Sequence, residues 1–379
     1  MKVLIAGDYS PVGRCETLLN KKSYDDIFGE IKPLSESHDY SIVNFETTVA
    51  EKGVHSIRKT GPALKCSAEA VEAIKWSGFD CVTLANNHFR DYGDESVAES
   101  IEVINNNGLD YVGGGRDIKE ASKILYKRIG NQVLAIINAC EHEYSIATAN
   151  NAGSNPLNPI RQYYSIRDAK QKSDFVVVIV HGGSELLNLP TPRMQETYRF
   201  FIDAGADVVV NGHQHCYSGY EIYNGKPIFY GIGNFCFDKL DQDGKETAWN
   251  MGYLISLDLN ANSEPLFELI PFVQFGEGVG VKVLNSRAGF DKEIERLNAI
   301  ISSPEELRRQ VETFYDAKSK ALRFAIEPYK GRILYSLYVR NLLPQIAALG
   351  NKKLEHLNVL QCESHRDMLF YIFKKELEK

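Results

Sequence analysis

The stretch CVTLANNHFRDYG, residues 81–93, changes character halfway along its length. Residues 82–85 are an apolar run of the kind that forms a buried strand. The run then breaks into two amides and an imidazole at residues 86–88, and Asp91 follows closely. A strand that serves only the core does not need such an ending. The stretch therefore predicts a strand that delivers polar groups to a functional site.

The composition of the chain indicates an ordinary soluble globular protein. Of its 379 residues, 44% are hydrophobic and 25% are charged, which is typical of globular domains. The formal net charge of -7 argues against a general nucleic-acid binder, because such domains carry a basic excess. The seven cysteines form no C-x-x-C pair, so neither a disulfide framework nor a zinc ribbon is indicated.

The sequence also bears on location. No apolar run is long enough to span a bilayer. The first residues, MKVLIAGD, are typical of a first strand, because the apolar run is too short for the core of a signal peptide. We therefore expect a cytoplasmic protein without an integral membrane segment.

Strand-like and helix-like segments alternate through the first two thirds of the chain. Strand patterns such as VLIAGD and YSIVNFE are followed by helical patterns such as SAEAVEAIKWSG, and this order predicts an α/β fold. We expect a β-sandwich flanked by helices, with an antiparallel section at residues 251–284 that completes the sheet. The pattern then becomes helical, which divides the chain into a domain at residues 1–285 and a C-terminal helical extension at residues 286–379.

Polar residues of a few types stand at the ends of six predicted strands. In a layered α/β fold, the carboxyl ends of the strands are where ligands and catalytic groups collect. The polar strand ends are Asp8, residues 44–46, residues 86–88, His181, His213 with His215, and Asn234. Because these groups recur in order and always at strand ends, they predict a shared site.

The residue types at these strand ends favour a metal site. Carboxylates, amide oxygens and imidazoles together suit borderline divalent ions such as Mn, Fe, Zn or Co. His213 and His215 occupy alternate positions, and alternate side chains of an extended chain point the same way, so both are predicted to reach one site. The potential ligands exceed the four that a tetrahedral ion takes. We therefore predict two ions, of the kind that clamp the attacking and leaving oxygens of a phosphoryl centre.

Six segments of the chain together resemble a known family. They are GDYSPVGR, IVNFETTV, SGFDCVTLANNHFRDYG, VVIVHGG, GADVVVNGHQHC and GKPIFYGIGNFCFD. This series resembles the CapA family, which is associated with poly-gamma-glutamate capsule synthesis and is similar to the calcineurin-like metallophosphoesterases. The resemblance runs from Met1 to about Asp238 and implies a layered, metallophosphoesterase-like β-sandwich. The C-terminal helices lie outside it.

The resemblance also implies roles for individual residues. The metal ligands that it implies are Asp8, Glu46, Asn87, His181, His213 and His215. His88 is implied as the imidazole that stays off the metals and stabilises or protonates the leaving oxygen. Asp91 is implied as the partner that orients His88, and Arg14 as a guanidinium that meets an anionic group of the substrate.

The chain departs from the wider superfamily at two of these positions. The usual first motif is Asp-x-His, but here it is Asp8-Tyr9-Ser10, so one imidazole of the first metal is absent. Glu46 stands where the superfamily has a shorter Asp. These differences predict a weakly held first metal or a site with a single ion. His142, in a segment that ends another strand, is a candidate replacement, although an ordinary loop histidine is the expectation.

Together these features predict a metal-dependent hydrolase of the metallophosphoesterase type. Its substrate is expected to be an anionic small molecule or polymer precursor in capsule or cell-envelope metabolism. Two alternatives stay open: gamma-glutamyl or other amide-bond chemistry at the same metals, and a non-catalytic scaffold in polymer assembly. Residues 323–341 mix aromatic and basic side chains and allow peripheral membrane contact, but a helix packed on the core is the expectation. The substrate and the oligomeric state are left open by the sequence.

Overall fold

The computed structural model describes residues 1–239, 245–260, 263–348 and 352–361, together with residues 365, 368–370, 372–373 and 377. Within these residues the strands are β1 (Lys2–Tyr9), β2 (Tyr40–Phe45), β3 (Cys81–Thr83), β4 (Asp110–Val112), β5 (Gly114–Gly115), β6 (Leu125–Ile129), β7 (Gln132–Cys140), β8 (Gly153–Ser154), β9 (Phe175–His181), β10 (Val208–Gly212), β11 (Tyr220–Tyr223), β12 (Lys226–Phe229), β13 (Asn234–Cys236), β14 (Met251–Asp258), β15 (Leu266–Gln274) and β16 (Val281–Val283). The α-helices are α1 (Arg14–Asn20), α2 (Tyr24–Phe28), α3 (Lys32–Glu36), α4 (Glu69–Trp76), α5 (Asp94–Asn106), α6 (Ile118–Ala121), α7 (Pro159–Lys172), α8 (Pro192–Ala204), α9 (Ala288–Ile301), α10 (Pro304–Ile326), α11 (Arg332–Val339) and α12 (Lys352–Gln361). Short 3-10 helices lie at Ala248–Asn250 and Ile346–Ala348.

The first large sheet has the strand order β16-β15-β14-β1-β2-β3-β4, and β13 also pairs with β1. The strands β1 to β4 and β13 run parallel to one another. The strands β14, β15 and β16 extend the sheet in antiparallel fashion beyond β1. The antiparallel section predicted at residues 251–284 is therefore confirmed.

The second large sheet packs face to face against the first. Its order is β11-β12-β10-β9-β7-β6, with parallel central strands and an antiparallel strand at each edge. Val3 and Ile5 of β1 share one buried cluster with Val177 and Ile179 of β9. Side chains at alternate positions of both sheets therefore form the core between them.

Helices cover the outer faces of this sandwich. Leu4 and Ala6, which alternate with the residues of the inner core, share a second buried cluster with Phe28, Ile74 and Ile101 of the helices α2, α4 and α5. The helices α7 and α8 contact the strands of the second sheet. The predicted layered α/β sandwich flanked by helices is therefore confirmed.

The chain forms two compact units, Met1–Arg308 and Arg309–Lys379. In the first unit, two side chains of α9 belong to the core between the sheets. In the second unit, the ring of Phe324 packs against the rings of Tyr335 and Tyr338. The predicted domain boundary at residue 285 stays a prediction. Across the described part of the chain, every helix is too short or too polar to cross a bilayer.

Candidate active site

The polar strand ends predicted to share a site lie together where the carboxyl ends of strands from the two large sheets meet. We call this edge of the sandwich the mouth. Along β2, Ile42 lies in the core between the sheets, and Asn44 and Glu46 follow at alternate positions, so their side chains face the same way. His181 follows Ile179 of β9 in the same manner. Strand alternation alone therefore brings groups from both sheets to this mouth.

A β-bulge in β1 turns Asp8 into the same mouth. Ala6 faces the helices, so regular alternation would send Asp8 the same way. The pairing of β1 with β2 shifts register between Ala6 and Asp8, and such a bulge re-aims a side chain. Only glycine fits at position 7, because a Cβ on Gly7 would lie 1.9 Å from the carbonyl oxygen of Gly233. As a result, Asp8 Oδ1 lies 3.7 Å from Nδ1 of His181 on the opposite sheet.

Two overlapping groups of side chains hold their ligand atoms within 4.8 Å of one another. The first group is Glu46, His181 and His213, and the second is Asp8, Glu46 and His215. Glu46 Oε1 is 3.5 Å from His181 Nε2 and 3.8 Å from His215 Nε2. Because Glu46 belongs to both groups, the cluster has the form of two cation sites that share one carboxylate.

Asn87 adds an amide oxygen to the first group. Its Oδ1 lies 3.0 Å from His181 Nε2, and the same nitrogen lies 3.1 Å from His213 Nδ1. An amide oxygen, two imidazole nitrogens and the Glu46 carboxylate therefore surround one small space. The structure brings all six predicted metal ligands together, and their role as ligands stays a prediction.

Glu46 shows that these residues fit a metal. It is fully buried, and no amide, hydroxyl, imidazole or ammonium group among the described residues donates a hydrogen bond to its carboxylate oxygens. Its hydrogen-bonding neighbour is another buried carboxyl group, that of Asp8. A buried carboxylate without partners is costly, and buried polar groups are normally hydrogen-bonded. Cations beside Glu46 would satisfy both oxygens. The hydroxyl of Ser10, at the position of the absent imidazole, is likewise buried without a partner in the described chain.

Burial sets the protonation states of the cluster. Burial, with repulsion from Glu46 as the next cause, raises the pKa of Asp8 to about 7, and burial raises the pKa of Glu46 to about 8. Burial lowers the pKa of His181 to about 4, that of His213 to about 3, and that of His215 well below its ordinary value. The imidazoles are therefore neutral at pH 7, which is the form that binds metals.

The backbone at His213 and His215 is not in the extended conformation that the sequence predicted. The strand β10 ends at Gly212, and both histidines have positive φ angles, 86° and 55°. The argument from an extended chain is therefore wrong, although both imidazoles do reach Glu46. Residues other than glycine are strained at positive φ, and such strain is concentrated at functional sites. A bend after β10, rather than strand alternation, brings the two rings together.

Three further residues hold the candidate ligands in place. Asn44 Nδ2 donates to Asp8 Oδ1 at 2.7 Å. His215 Nδ1 lies 2.8 Å from Asn234 Oδ1, which leaves Nε2 on the side of Glu46, and the Trp249 ring packs against the His215 ring at a tilt of 33° with a centroid distance of 4.3 Å. The two amides had a sequence signal, their place at strand ends, but no assigned role. Trp249 was missed because nothing in its local sequence marks it.

His88 and Asp91 form the predicted pair beside the cluster. His88 Nδ1 lies 2.6 Å from Asp91 Oδ2, and His88 belongs to neither of the two ligand groups in the described residues. Asn86 has a structural explanation, because its Nδ2 donates to the carbonyl of Phe45 at 2.8 Å and its Oδ1 accepts from His88 N at 3.0 Å. Asn86 thus ties the end of β2 to the turn that carries His88. The catalytic roles of His88 and Asp91 stay predictions.

Arg14 and His142 are not brought into the cluster. The guanidinium of Arg14 donates to Asp238, with Nη2 to Oδ1 at 2.8 Å, and to the carbonyl oxygens of Phe275 and Gly276. A substrate group would have to compete with these partners for Arg14, whose role stays a prediction. His142 is exposed, its partial desolvation lowers its pKa, and it belongs to neither ligand group of the described chain.

Comparison with known proteins identifies relatives of the first unit. The model of the family described as "Bacterial capsule synthesis protein PGA_cap" matches residues 2–239. The chain is 30% identical over 279 residues to the capsule biosynthesis protein CapA of Bacillus anthracis, which covers 72% of this chain and 67% of that protein. It is 31% identical over 259 residues to the PGA biosynthesis protein CapA of Bacillus subtilis (strain 168), which covers 68% of this chain and 67% of that protein.

Solved structures give weaker similarities. A hypothetical protein from Thermus thermophilus aligns with a TM-score of 0.44 at 15% identity and covers 71% of this chain and 99% of its own. A 5'-nucleotidase from Candida albicans aligns with a TM-score of 0.39 at 9% identity and covers 83% of this chain and 57% of its own. The family match, by contrast, spans more than half of the chain. The chain therefore belongs to the PGA_cap family of bacterial capsule synthesis proteins, the CapA family that its sequence resembles.

Proposed function

We propose that the chain is a metal-dependent hydrolase of phosphoesters that uses two divalent cations and acts in capsule or cell-envelope polymer metabolism. The observation that carries the proposal is the buried carboxylate of Glu46, which accepts no hydrogen bond from an amide, hydroxyl, imidazole or ammonium group of the described residues and belongs to both groups of candidate ligands. A carboxylate shared in this way suits two ions a few ångströms apart, the arrangement that clamps both oxygens of a phosphoryl centre.

The candidate ligands assign a place to each cation. Asn87, His181 and His213 would hold one, and Asp8 and His215 would hold the other, with Glu46 between them. When bound, the cations stabilise negative charge on the reacting oxygens and lower the pKa of the nucleophilic water. Manganese, iron and zinc all suit this donor set.

The residues of the chain itself contribute positioning and proton transfer. His88 Nδ1 is hydrogen-bonded to Asp91, which leaves Nε2 of the ring for the substrate. From there His88 donates a proton to the leaving oxygen or stabilises its charge. The cluster is almost fully buried, so electrostatic interactions with a bound substrate are stronger there than in water.

The biological setting is proposed from the relatives. Two of them, each aligned over 67% of its length, are named for capsule biosynthesis and for PGA biosynthesis. We therefore place the substrate among the anionic small-molecule or polymeric precursors of such polymers. A cytoplasmic location and the absence of a nucleic-acid partner stay predictions.

Two other functions each have one observation in their favour. Cleavage or formation of a gamma-glutamyl amide bond at the same metals is favoured by the relative named as a PGA biosynthesis protein. In that reaction a carbonyl carbon takes the place of phosphorus. A non-catalytic scaffold is favoured by Ser10, which stands where the superfamily has an imidazole.

Turnover of an aryl phosphate and an aryl phosphodiester with Mn²⁺ tests the proposal. We expect EDTA to abolish turnover and His88→Ala to lower kcat about 100-fold, the size of a general-acid contribution. His55→Ala, which removes an exposed histidine outside the cluster, is the matched control and should keep full activity. Turnover of a gamma-glutamyl aryl amide alone would favour amide chemistry. Bound metal without turnover of any of these substrates would favour the scaffold.

A further inference from the structure

Residues 51–63, which we call the cover segment, form an irregular loop whose residues are mostly exposed. Lys59 is the exception among the charged residues of the segment, because only 4% of its side chain is exposed. A lysine is rarely buried to this extent unless its ammonium is paired. The cover segment therefore directs one cationic side chain into the body of the protein while its other charged side chains stay in solvent.

The ammonium of Lys59 ends at Asp91, the partner of His88. Lys59 Nζ donates to Asp91 Oδ1 and lies 3.5 Å from His88 Nδ1. The other carboxylate oxygen, Asp91 Oδ2, accepts from His88 Nδ1 at 2.6 Å and from the backbone N–H of Leu64 at 2.8 Å. The Asp91 side chain is fully buried, so Lys59 supplies the cation that compensates its charge.

The backbone of the cover segment is attached at the same place. The N–H of Ile57 donates to the carbonyl oxygen of Asp91 at 2.8 Å, and the N–H of Leu64, the residue that follows the segment, reaches the Asp91 carboxylate. Two further contacts lie outside this group: the hydroxyls of Thr60 and Tyr144 are 3.0 Å apart, and Lys65 Nζ donates to the carbonyl oxygen of Glu51 at 2.8 Å. Asp91 therefore orients His88 and also holds the later part of the loop.

We propose that Lys59 is a positioning residue that couples the cover segment to His88. With the segment down, Lys59 and Leu64 hold both carboxylate oxygens of Asp91, and Asp91 holds the His88 ring in one orientation. With the segment lifted, Asp91 Oδ1 loses its donor, the carboxylate rotates more freely, and His88 loses its fixed orientation. Closure of the cover segment thus completes the site. This inference rests on the proposed function, because it assigns His88 a task.

Hydrogen exchange and kinetics on the full, Mn²⁺-loaded chain test the coupling. Lys59→Met removes the ammonium, and Lys52→Met, at an exposed lysine of the same segment, is the matched control. We expect Lys59→Met to speed amide exchange over residues 51–64 at least tenfold and to lower kcat about tenfold, with KM and metal content unchanged. Lys52→Met should match the original chain in all four measurements. Lys59→Gln, which keeps a hydrogen-bond donor without charge, replaces Lys59→Met if the latter does not fold.

The two readouts separate this inference from the proposed function. Unchanged exchange in Lys59→Met would show that Lys59 does not hold the segment, and faster exchange with unchanged kcat would show that the segment does not position His88. Either result overturns the coupling. If the original chain turns over no substrate, the ¹⁵N signals of the His88 ring in the chain loaded with diamagnetic Zn²⁺, assigned by their loss in His88→Ala, take the place of kcat. They should shift in Lys59→Met and not in Lys52→Met, and unshifted signals would overturn the coupling.

Discussion

Three consecutive side chains after β3 have three different environments. Asn86 bonds the backbone of β2 and of His88, Asn87 directs its amide oxygen at His181, and His88 turns to Asp91. Neighbours in the chain therefore separate into a structural amide, a candidate ligand and a candidate proton donor. All three side chains are almost fully buried, so burial does not distinguish their roles. The roles differ because each side chain contacts a different group.

Substitutions at two of these positions should therefore differ in kind. We expect Asn87→Ala to lower both Mn²⁺ affinity and turnover, because the amide oxygen faces the proposed ion. His88→Ala should lower kcat about 100-fold and keep the Mn²⁺ affinity of the original chain. Titration calorimetry with Mn²⁺ on both variants measures this difference. Loss of metal from His88→Ala would contradict the role proposed for His88, and unchanged Mn²⁺ affinity in Asn87→Ala would contradict the role proposed for Asn87.

At the scale of the elements, the bulge in β1 decides whether Asp8 enters the site. Ordinary alternation carries Glu46 and His181 to the mouth between the sheets, but Asp8 depends on the register shift beside Gly7. That shift brings the backbone of Gly7 against the carbonyl of Gly233. The position of a candidate metal ligand is therefore set by how closely two backbone segments approach.

Gly7→Ala tests this dependence. A Cβ at Gly7 would lie 1.9 Å from the Gly233 oxygen, so the two segments must separate. We expect the free energy of unfolding to fall by about 3 kcal/mol, and Asp8 to lose its place in the cluster with a drop in Mn²⁺ affinity. Gly289→Ala, at an exposed helical glycine with open space around it, should keep or slightly raise stability. Urea unfolding measures both, and a Gly7→Ala variant as stable as the original chain would contradict the close approach.

Periodicity in the sequence predicted part of this arrangement, and contacts between distant residues determine the rest. Strand alternation and the α/β order were sufficient to predict the layered fold and the convergence of Glu46 with His181. The left-handed backbone at His213 and His215 was not predictable, because it arises where β10 ends. The contact of Lys59 with Asp91 was not predictable from the sequence either, because the two residues are 32 positions apart in the chain.

At the scale of the whole molecule, the buried carboxyl groups of the site lower the stability of the metal-free fold. Asp8 and Glu46 keep their protons to about pH 7 and about pH 8, whereas their ordinary pKa values are 3.8 and 4.5. The folded state therefore binds more protons than the unfolded state above about pH 4.5, and its stability falls as pH rises until both groups have ionised. The buried histidines act in the opposite sense, but only below their ordinary pKa of 6.5.

A pH dependence is expected for the metal-free chain. Between pH 6.5 and pH 8, where the two carboxyl groups of the cluster still contribute and its histidines no longer do, the melting temperature should fall. Saturating Mn²⁺ should remove this fall, because the ions bind the ionised carboxylates of the folded state. Glu46→Gln should weaken the fall in the metal-free chain, and Glu102→Gln, at an exposed position, should leave it unchanged. A metal-free melting temperature that rises over this range would contradict the burial of ionisable carboxyls.

The number of metal ions bound per chain tests the central claim most directly. Both proposed ions depend on Glu46, whose two carboxylate oxygens accept no hydrogen bond from an amide, hydroxyl, imidazole or ammonium group of the described residues. Equilibrium dialysis against Mn²⁺, followed by elemental analysis, should give two equivalents for the original chain and fewer for Glu46→Gln. One equivalent would contradict a shared carboxylate between two ions. No bound metal in the original chain would contradict the metal-dependent hydrolase itself.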